Sequence, residues 1–387
     1  MLAPYPFRLF SNPHAGTPGV VVLPDSGFRR AQAEITSWPG YAPTPLLDLP
    51  AVARAAGIGS VQMKDEASRF GLGSFKALGG AYAVAQVLAA ELARRGVAAR
   101  ASSSDLVGGT FAAATGGITV TCATDGNHGR SVAWGAQRFG CRCVIYVHAT
   151  VSQGRVDAIA QYGAEVRRVP GTYDDAVRAA ALVADAEGWF VISDTSYEGY
   201  TTVPVDVMQG YRVMAEEALD QWRGAAPTHC FMQGGVGGAA AAVSVQLRSR
   251  VNPRPMFIVA EPDRAACLLA SAEAGEPVAI PGDLDTVMAG LACGEPSLLA
   301  WQELSRTADA FMAVPDEAAV DCMRLLARLG IVSGESGVAG LAALLLAAAD
   351  PAARAALNLG HQSRVLLFST EGATDPALYN RLVTDAS

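Results

Sequence analysis

Between residues 118 and 193 short β-branched runs alternate with apolar-periodic helical stretches. Strands read at 118–123, 143–147, 165–169 and 190–193, with helices at 127–139, from 153 and from 173 between them. Strands joined through a helix run parallel, with right-handed crossovers, so this stretch predicts an open parallel sheet flanked by helices. A second series follows, with helices at 207–222 and 237–250 and strands at 229–233, 256–260 and 365–368.

The chain has 387 residues, too many for one core of ordinary size. The expected fold class is therefore α/β with two domains, each an open, mostly parallel sheet flanked by helices. A large domain is expected from residues 1–87 plus 205–387 and a small one from 88–204. Upstream, a strand at 60–63 leads through a glycine-rich loop at 69–74 into a helix at 75–94, which puts Lys76 at a helix N-terminus and groups it with the C-terminal half. Residues 97–117, rich in Ala, Ser, Gly and Thr, show no period and read as an irregular insertion.

Apolar residues at 51% and charged residues at 17% argue against disorder. The net charge of −8, with no Lys/Arg cluster, leaves no footprint for nucleic acid or an anionic membrane. The longest apolar run, 338–349, is too short to cross a bilayer, and the N-terminus lacks a basic start followed by an apolar core, so a cytoplasmic location is expected. Seven scattered cysteines do not form a disulfide framework, and Cys141 and Cys143 are too close together for a zinc knuckle. No metal is expected. Cys267 and Cys293 could meet as a redox-sensitive pair.

Four glycine-rich junctions hold the candidate chemistry. In QGGVGGAA (233–240), small residues let backbone N–H groups converge on an anion at a helix start. The spacing is not the dinucleotide fingerprint, although Glu261 ends the next strand, and no Lys-Ser or Lys-Thr pair follows to make a P-loop. A single phosphate ester fits better. In GSFKALGG (73–80), Lys76 sits among apolar residues, where desolvation would favour the neutral amine needed for imine formation. The bland alternative is a solvated helix-end lysine, yet a cation there opposes the helix dipole. In TDGNHG (124–129), Asn127 can donate to a phenolate oxygen and Asp125 can reach a substrate, although both residue types also cap helices. FSTEG (368–372) ends the last strand with hydroxyls that could meet a ring nitrogen or simply serve a turn.

Taken in order, SFKALGG, DGNHG, GGVGG and STEG resemble the fold-type II pyridoxal-phosphate enzymes, relatives of threonine dehydratase and the tryptophan synthase β subunit. More narrowly, KDEASRFGLGSFKALGGAYAV, ATDGNHGRSVAW, SDTSYEGYTTVPVDVMQGY, MAGLACGEPS and SGESGVAG resemble the diaminopropionate ammonia-lyase family over residues 39–375.

The resemblance implies pyridoxal 5'-phosphate held as a Schiff base by Lys76, with Asn127 at its ring oxygen, Gly235, Val236, Gly237 and Gly238 around its phosphate, and Ser369 facing its pyridine nitrogen. A hydroxyl at that nitrogen, in place of a carboxylate, suits elimination better than transamination. It further implies an amino-acid substrate, 2,3-diaminopropionate, from which Lys76 removes the α-proton of the L-isomer. Asp125, where threonine dehydratases have a neutral residue, would serve the D-isomer from the opposite face. Asp194 would bind the β-ammonium, its alternative being a turn cap. The products would be pyruvate and two ammonia, and the assembly a homodimer. His128 and Glu335 lie inside matching motifs, but neither is given a proton-transfer role. Residues 97–117 and 323–331 depart from the family pattern.

Three other readings stay open. One is a dehydratase or lyase acting on serine, threonine or a hydroxyaspartate. Another is a biosynthetic relative that captures the eliminated product with a nucleophile. The third is an idle amino-acid sensor.

Overall fold

The computed structural model describes residues 3–124 and 126–384. They form two compact units, a larger one of Met1–Val22, Pro43–Gly73 and Met214–Ser387, and a smaller one of Leu23–Ala42 and Ser74–Val213. Among the described residues eleven strands run in chain order: β1 (Arg8–Ser11), β2 (Leu46–Asp48), β3 (Ser60–Asp65), β4 (Thr119–Ala123), β5 (Arg142–His148), β6 (Glu165–Val169), β7 (Phe190–Val191), β8 (His229–Gln233), β9 (Met256–Pro262), β10 (Ala310–Val314) and β11 (Arg364–Ser369). The protein is an α/β chain with mostly parallel sheets flanked by helices.

The larger unit holds a seven-stranded sheet in the order β1-β10-β9-β8-β11-β3-β2. The inner five strands are mutually parallel, and antiparallel β1 and β2 close the two edges. Every residue of β8 and β10 is buried, as a parallel sheet covered on both faces requires. Met63, Phe231, Ile258, Met312 and Leu367 from its strands share one core with Leu341 and Leu344 of helix Ala339–Ala349. That helix is apolar all round because it is buried all round.

The smaller unit holds a four-stranded, all-parallel sheet in the order β6-β5-β4-β7. Its helices Ala77–Arg94 and Asn127–Phe139 approach so closely that side chains are excluded at their contact. A Cβ on Gly80 would lie 2.0 Å from Ser131 Oγ, and one on Gly135 would lie 2.8 Å from Ala81 Cα. The glycines after Lys76 therefore fix the helix that follows it against the helix that starts at Asn127.

Some expectations need correcting. Residues 97–117 contain two short helices, Ser103–Val107 and Ala112–Thr115, where sequence reading expects none. The first is nucleated by a capping box. Ser102 Oγ accepts the Asp105 N–H, and Asp105 returns a bond to the Ser102 N–H. Strands β1, β2 and β10 also went unread, as did helix Asp316–Arg328. Where the expected partition falls at 88 and 204, residues 74–87 and 205–213 belong to the smaller compact unit, and Lys76 with them.

Candidate active site

Lys76 is the last residue before helix Ala77–Arg94 and already has helical backbone angles. Its Nζ lies 2.6 Å from Asp194 Oδ2, a charge-assisted hydrogen bond between residues 118 apart in sequence. The two side chains are 20% and 17% exposed. Phe75 and Tyr211, with ring centroids 4.6 Å apart, flank the amine at 5.3 and 5.6 Å. The apolar surroundings expected for Lys76 are these two rings, and the carboxylate is an addition that local sequence does not disclose. Burial opposes a charge on Asp194, but Lys76 and His128 beside it hold its carboxyl well below the usual range.

Sequence reading passed over a further feature: Lys64 and Lys76 are the only lysines in the chain. Lys64 is fully buried and bonded to Thr44 O, Gln221 Oε1 and Glu217 Oε2. Lys76 is thus the one lysine whose amine reaches solvent.

The loop carrying Asp194 is held by Tyr200, another residue without an assigned role. Its hydroxyl accepts the Ser193 N–H at 3.0 Å and donates to Val191 O at 2.8 Å, and its ring stacks on Tyr197 at 5.0 Å. The SYEGY segment is therefore a clasp on the loop that carries the carboxylate.

At the turn after β4, Thr124 Oγ1 accepts the N–H groups of Gly126 and Gly129, both at 3.0 Å. Thr124 thus takes up two N–H groups at the N-terminus of helix Asn127–Phe139. Asn127 is the first residue of that helix. His128 Nε2 meets Ile192 O at 2.8 Å, and its Nδ1 lies 3.8 Å from Asp194 Oδ2. Asp125 lies outside the described residues.

The larger unit carries the remaining expected positions. Gly235 and Gly237 have φ of 59° and 97°, conformations suited to glycine, and Gly237 leads directly into helix Gly238–Arg250. A Cβ on Gly237 would sit 3.0 Å from Ala300 Cβ, so the turn has no room for one. Val236 O accepts from Ser297 N–H at 2.9 Å, which ties the turn to the next helix. A glycine-rich turn at a helix N-terminus fits a phosphate. Ser369, fully buried at the end of β11, has its Oγ 2.8 Å from Ser333 Oγ. Gln233 Nε2 donates to Gly337 O and Phe368 O, so the β8 end, the SGESG segment and β11 are cross-tied.

Glu261 gives both carboxylate oxygens to the N–H groups of Leu268 and Leu269 at 2.8 Å. It is a helix anchor, which removes the last support for a dinucleotide reading. No disulfide joins any of the seven cysteines, Cys267 and Cys293 included. Among the described residues no cluster could hold a metal ion and no helix is long and apolar enough to cross a membrane. A reachable amine suits an aldehyde, and a glycine cradle at a helix N-terminus suits a phosphate.

Comparison with known proteins agrees with this chemistry. Residues 37–371 match the family described as pyridoxal-phosphate dependent enzyme. The chain is 40% identical over 359 residues to diaminopropionate ammonia-lyase of Escherichia coli K12, covering 89% of this chain and 88% of that protein. It superposes on the crystal structure of the holo E. coli enzyme with a TM-score of 0.89 at 38% identity, covering 98% of this chain and 96% of that one. The same enzyme in complex with an aminoacrylate-PLP azomethine reaction intermediate matches with a TM-score of 0.86 at 37% identity, covering 98% and 97%.

Proposed function

The chain belongs to the pyridoxal-phosphate-dependent enzymes and, among them, to the diaminopropionate ammonia-lyase family, and from that premise we propose that it eliminates ammonia from 2,3-diaminopropionate to give pyruvate and two ammonia. The Lys76–Asp194 pair carries the reading, because it sets an amine and a carboxylate in contact within a ring-lined, half-dry setting. When bound, pyridoxal phosphate supplies the electron sink that makes the α-proton of an amino acid acidic and a β-substituent labile.

The chain's own residues do the rest. Lys76 Nζ would hold the cofactor at its carbonyl carbon and, when free of it, would take the α-proton of the L-isomer. Asp194 receives the substrate's β-ammonium, the cation that replaces Lys76 as its partner. Asp125 is assigned the corresponding proton of the D-isomer. Asn127 holds the cofactor's ring oxygen, the turn Gly235 to Gly238 its phosphate, and Ser369 its ring nitrogen, where a neutral hydroxyl suits elimination. A carboxylate for the leaving amine favours this substrate over serine or threonine, whose hydroxyl needs no anion.

A two-fold homodimer, the commonest closed assembly, completes the reading. A reducing cytoplasm does too, and seven free thiols are at home there. The test is pyruvate release from D- and L-diaminopropionate, L-serine and L-threonine by the holoenzyme. Turnover of diaminopropionate well above the hydroxy amino acids is expected, and turnover confined to the latter would reassign the enzyme as a dehydratase. Asp125→Asn should remove the D-isomer activity while sparing the L-isomer.

A further inference from the structure

His128 sits at the centre of the smaller unit's site without an assigned task. Ile192 O can only accept, so His128 Nε2 carries the hydrogen of their 2.8 Å bond. In the neutral ring Nδ1 then presents a lone pair. That nitrogen is buried and has no hydrogen-bond partner among the described residues. It faces Asp194 Oδ2 at 3.8 Å, and the same oxygen lies 2.6 Å from Lys76 Nζ. A bare lone pair aimed at a carboxylate is unfavourable, and a proton on Nδ1 would turn the contact into an ion pair. Ser131 Oγ bonds to His128 O and so fixes the residue from its backbone side.

We propose that His128 is a positioning residue that accepts, at Nδ1 and by way of Asp194, the proton that the Lys76 ammonium must lose before it can attack a carbonyl carbon. One proton leaves Lys76 Nζ for Asp194 Oδ2, and one passes from that carboxyl to His128 Nδ1. The amine becomes neutral, the carboxylate is restored, and the imidazole becomes a cation paired with it. Net charge is conserved across the three groups. In the resting arrangement burial holds the His128 imidazole below its usual value, Asp194 draws it up and Lys76 pushes it down again. Once Lys76 is neutral, Asp194 and the bond to Ile192 O are left to oppose burial. Among the described residues, Cys122, Tyr200 and Tyr211 also face the trio, each pushed up by burial and so neutral near pH 7.

The inference rests on Lys76 as the cofactor-bearing lysine, and the experiment separates the two. The full chain, stripped of cofactor, is treated with trinitrobenzenesulfonate across a pH series. With Lys64 buried, labelling of Lys76, located by peptide mass, reports its neutral fraction. His128→Gln should move the profile to higher pH by about one unit, a tenfold slower reaction at pH 7. Superposable profiles would overturn the relay. Imidazole 15N shifts of the unmutated protein give an answer that does not depend on the variant folding. Nδ1 should be unprotonated without cofactor and protonated after pyridoxal 5'-phosphate is added, and a ring unchanged by loading would overturn the proposal. Borohydride reduction of the loaded protein should leave the cofactor on the Lys76 peptide. An adduct elsewhere would refute the lysine assignment itself, and the relay with it.

Discussion

Arg69 and Glu217 meet side by side, with Nη1 2.8 Å from Oε1 and Nη2 2.7 Å from Oε2, at a site where the two side chains are 1% and 6% exposed. Glu66 takes the opposite flank of the guanidinium through Arg69 Nε at 2.8 Å, and Lys64 lies 2.7 Å from Glu217. Two cations and two anions are thus sealed beneath the loop that leads to Gly73, whose carbonyl accepts the Gly372 N–H beyond β11.

Removing one member of such a cluster leaves an uncompensated buried charge, which costs about 3–5 kcal/mol. Glu217→Gln should lower the unfolding free energy from urea titration by that amount, and Arg69→Lys, which cannot make the fork, should lower it nearly as much. A loss within about 0.5 kcal/mol, the range of ordinary surface changes, would mean that the cluster is not needed to hold the loop.

Gly237→Ala places a Cβ in a left-handed turn 3.0 Å from Ala300 Cβ. The backbone strain is about 1–2 kcal/mol. It falls on the turn assigned to the phosphate, so the cofactor's dissociation constant should rise about tenfold in that variant. Gly275→Ala is the control, with φ of 79° and open space around it. Fluorescence titration with pyridoxal phosphate should show weakened binding in Gly237→Ala alone, and equal weakening in both would assign the effect to general destabilisation.

Asp206, paired with Arg30 at 3.2 Å, is pushed up to about 6 by burial that its partner does not offset. A carboxyl raised in the folded state favours folding most below its unfolded value near 4, and that contribution is lost as pH rises through about 6. Asp206→Asn should therefore raise the thermal midpoint at pH 7 and leave it little changed at pH 4. A midpoint lowered at pH 7 would show that the Arg30 pair outweighs desolvation.

The alternation from 118 to 193 was legible because its strands are short, rich in β-branched residues and separated by helices with clear period. β1 and β2 were not legible, since at four and three residues they carry no period of their own and exist only by pairing with β10 and β3. Lys76 could be singled out because a cation at a helix start needs a reason. Its contact with Asp194 could not, since 118 residues and a whole sheet intervene. Tyr200 hid for a similar cause. A tyrosine in a polar loop reads as surface until its hydroxyl is seen bridging Ser193 and Val191.

The lysine inventory bears on how the protein can be handled. Pyridoxal phosphate is an aldehyde that adds to protein amines with little discrimination, yet here Lys76 is the one ε-amine it can reach. Loading should therefore reach a sharp end point of one cofactor per chain, apart from the α-amino group, with no slow decoration of the surface. The same scarcity makes amine-directed tethers and fixatives act as active-site poisons, so any attachment to a support has to go through some other side chain.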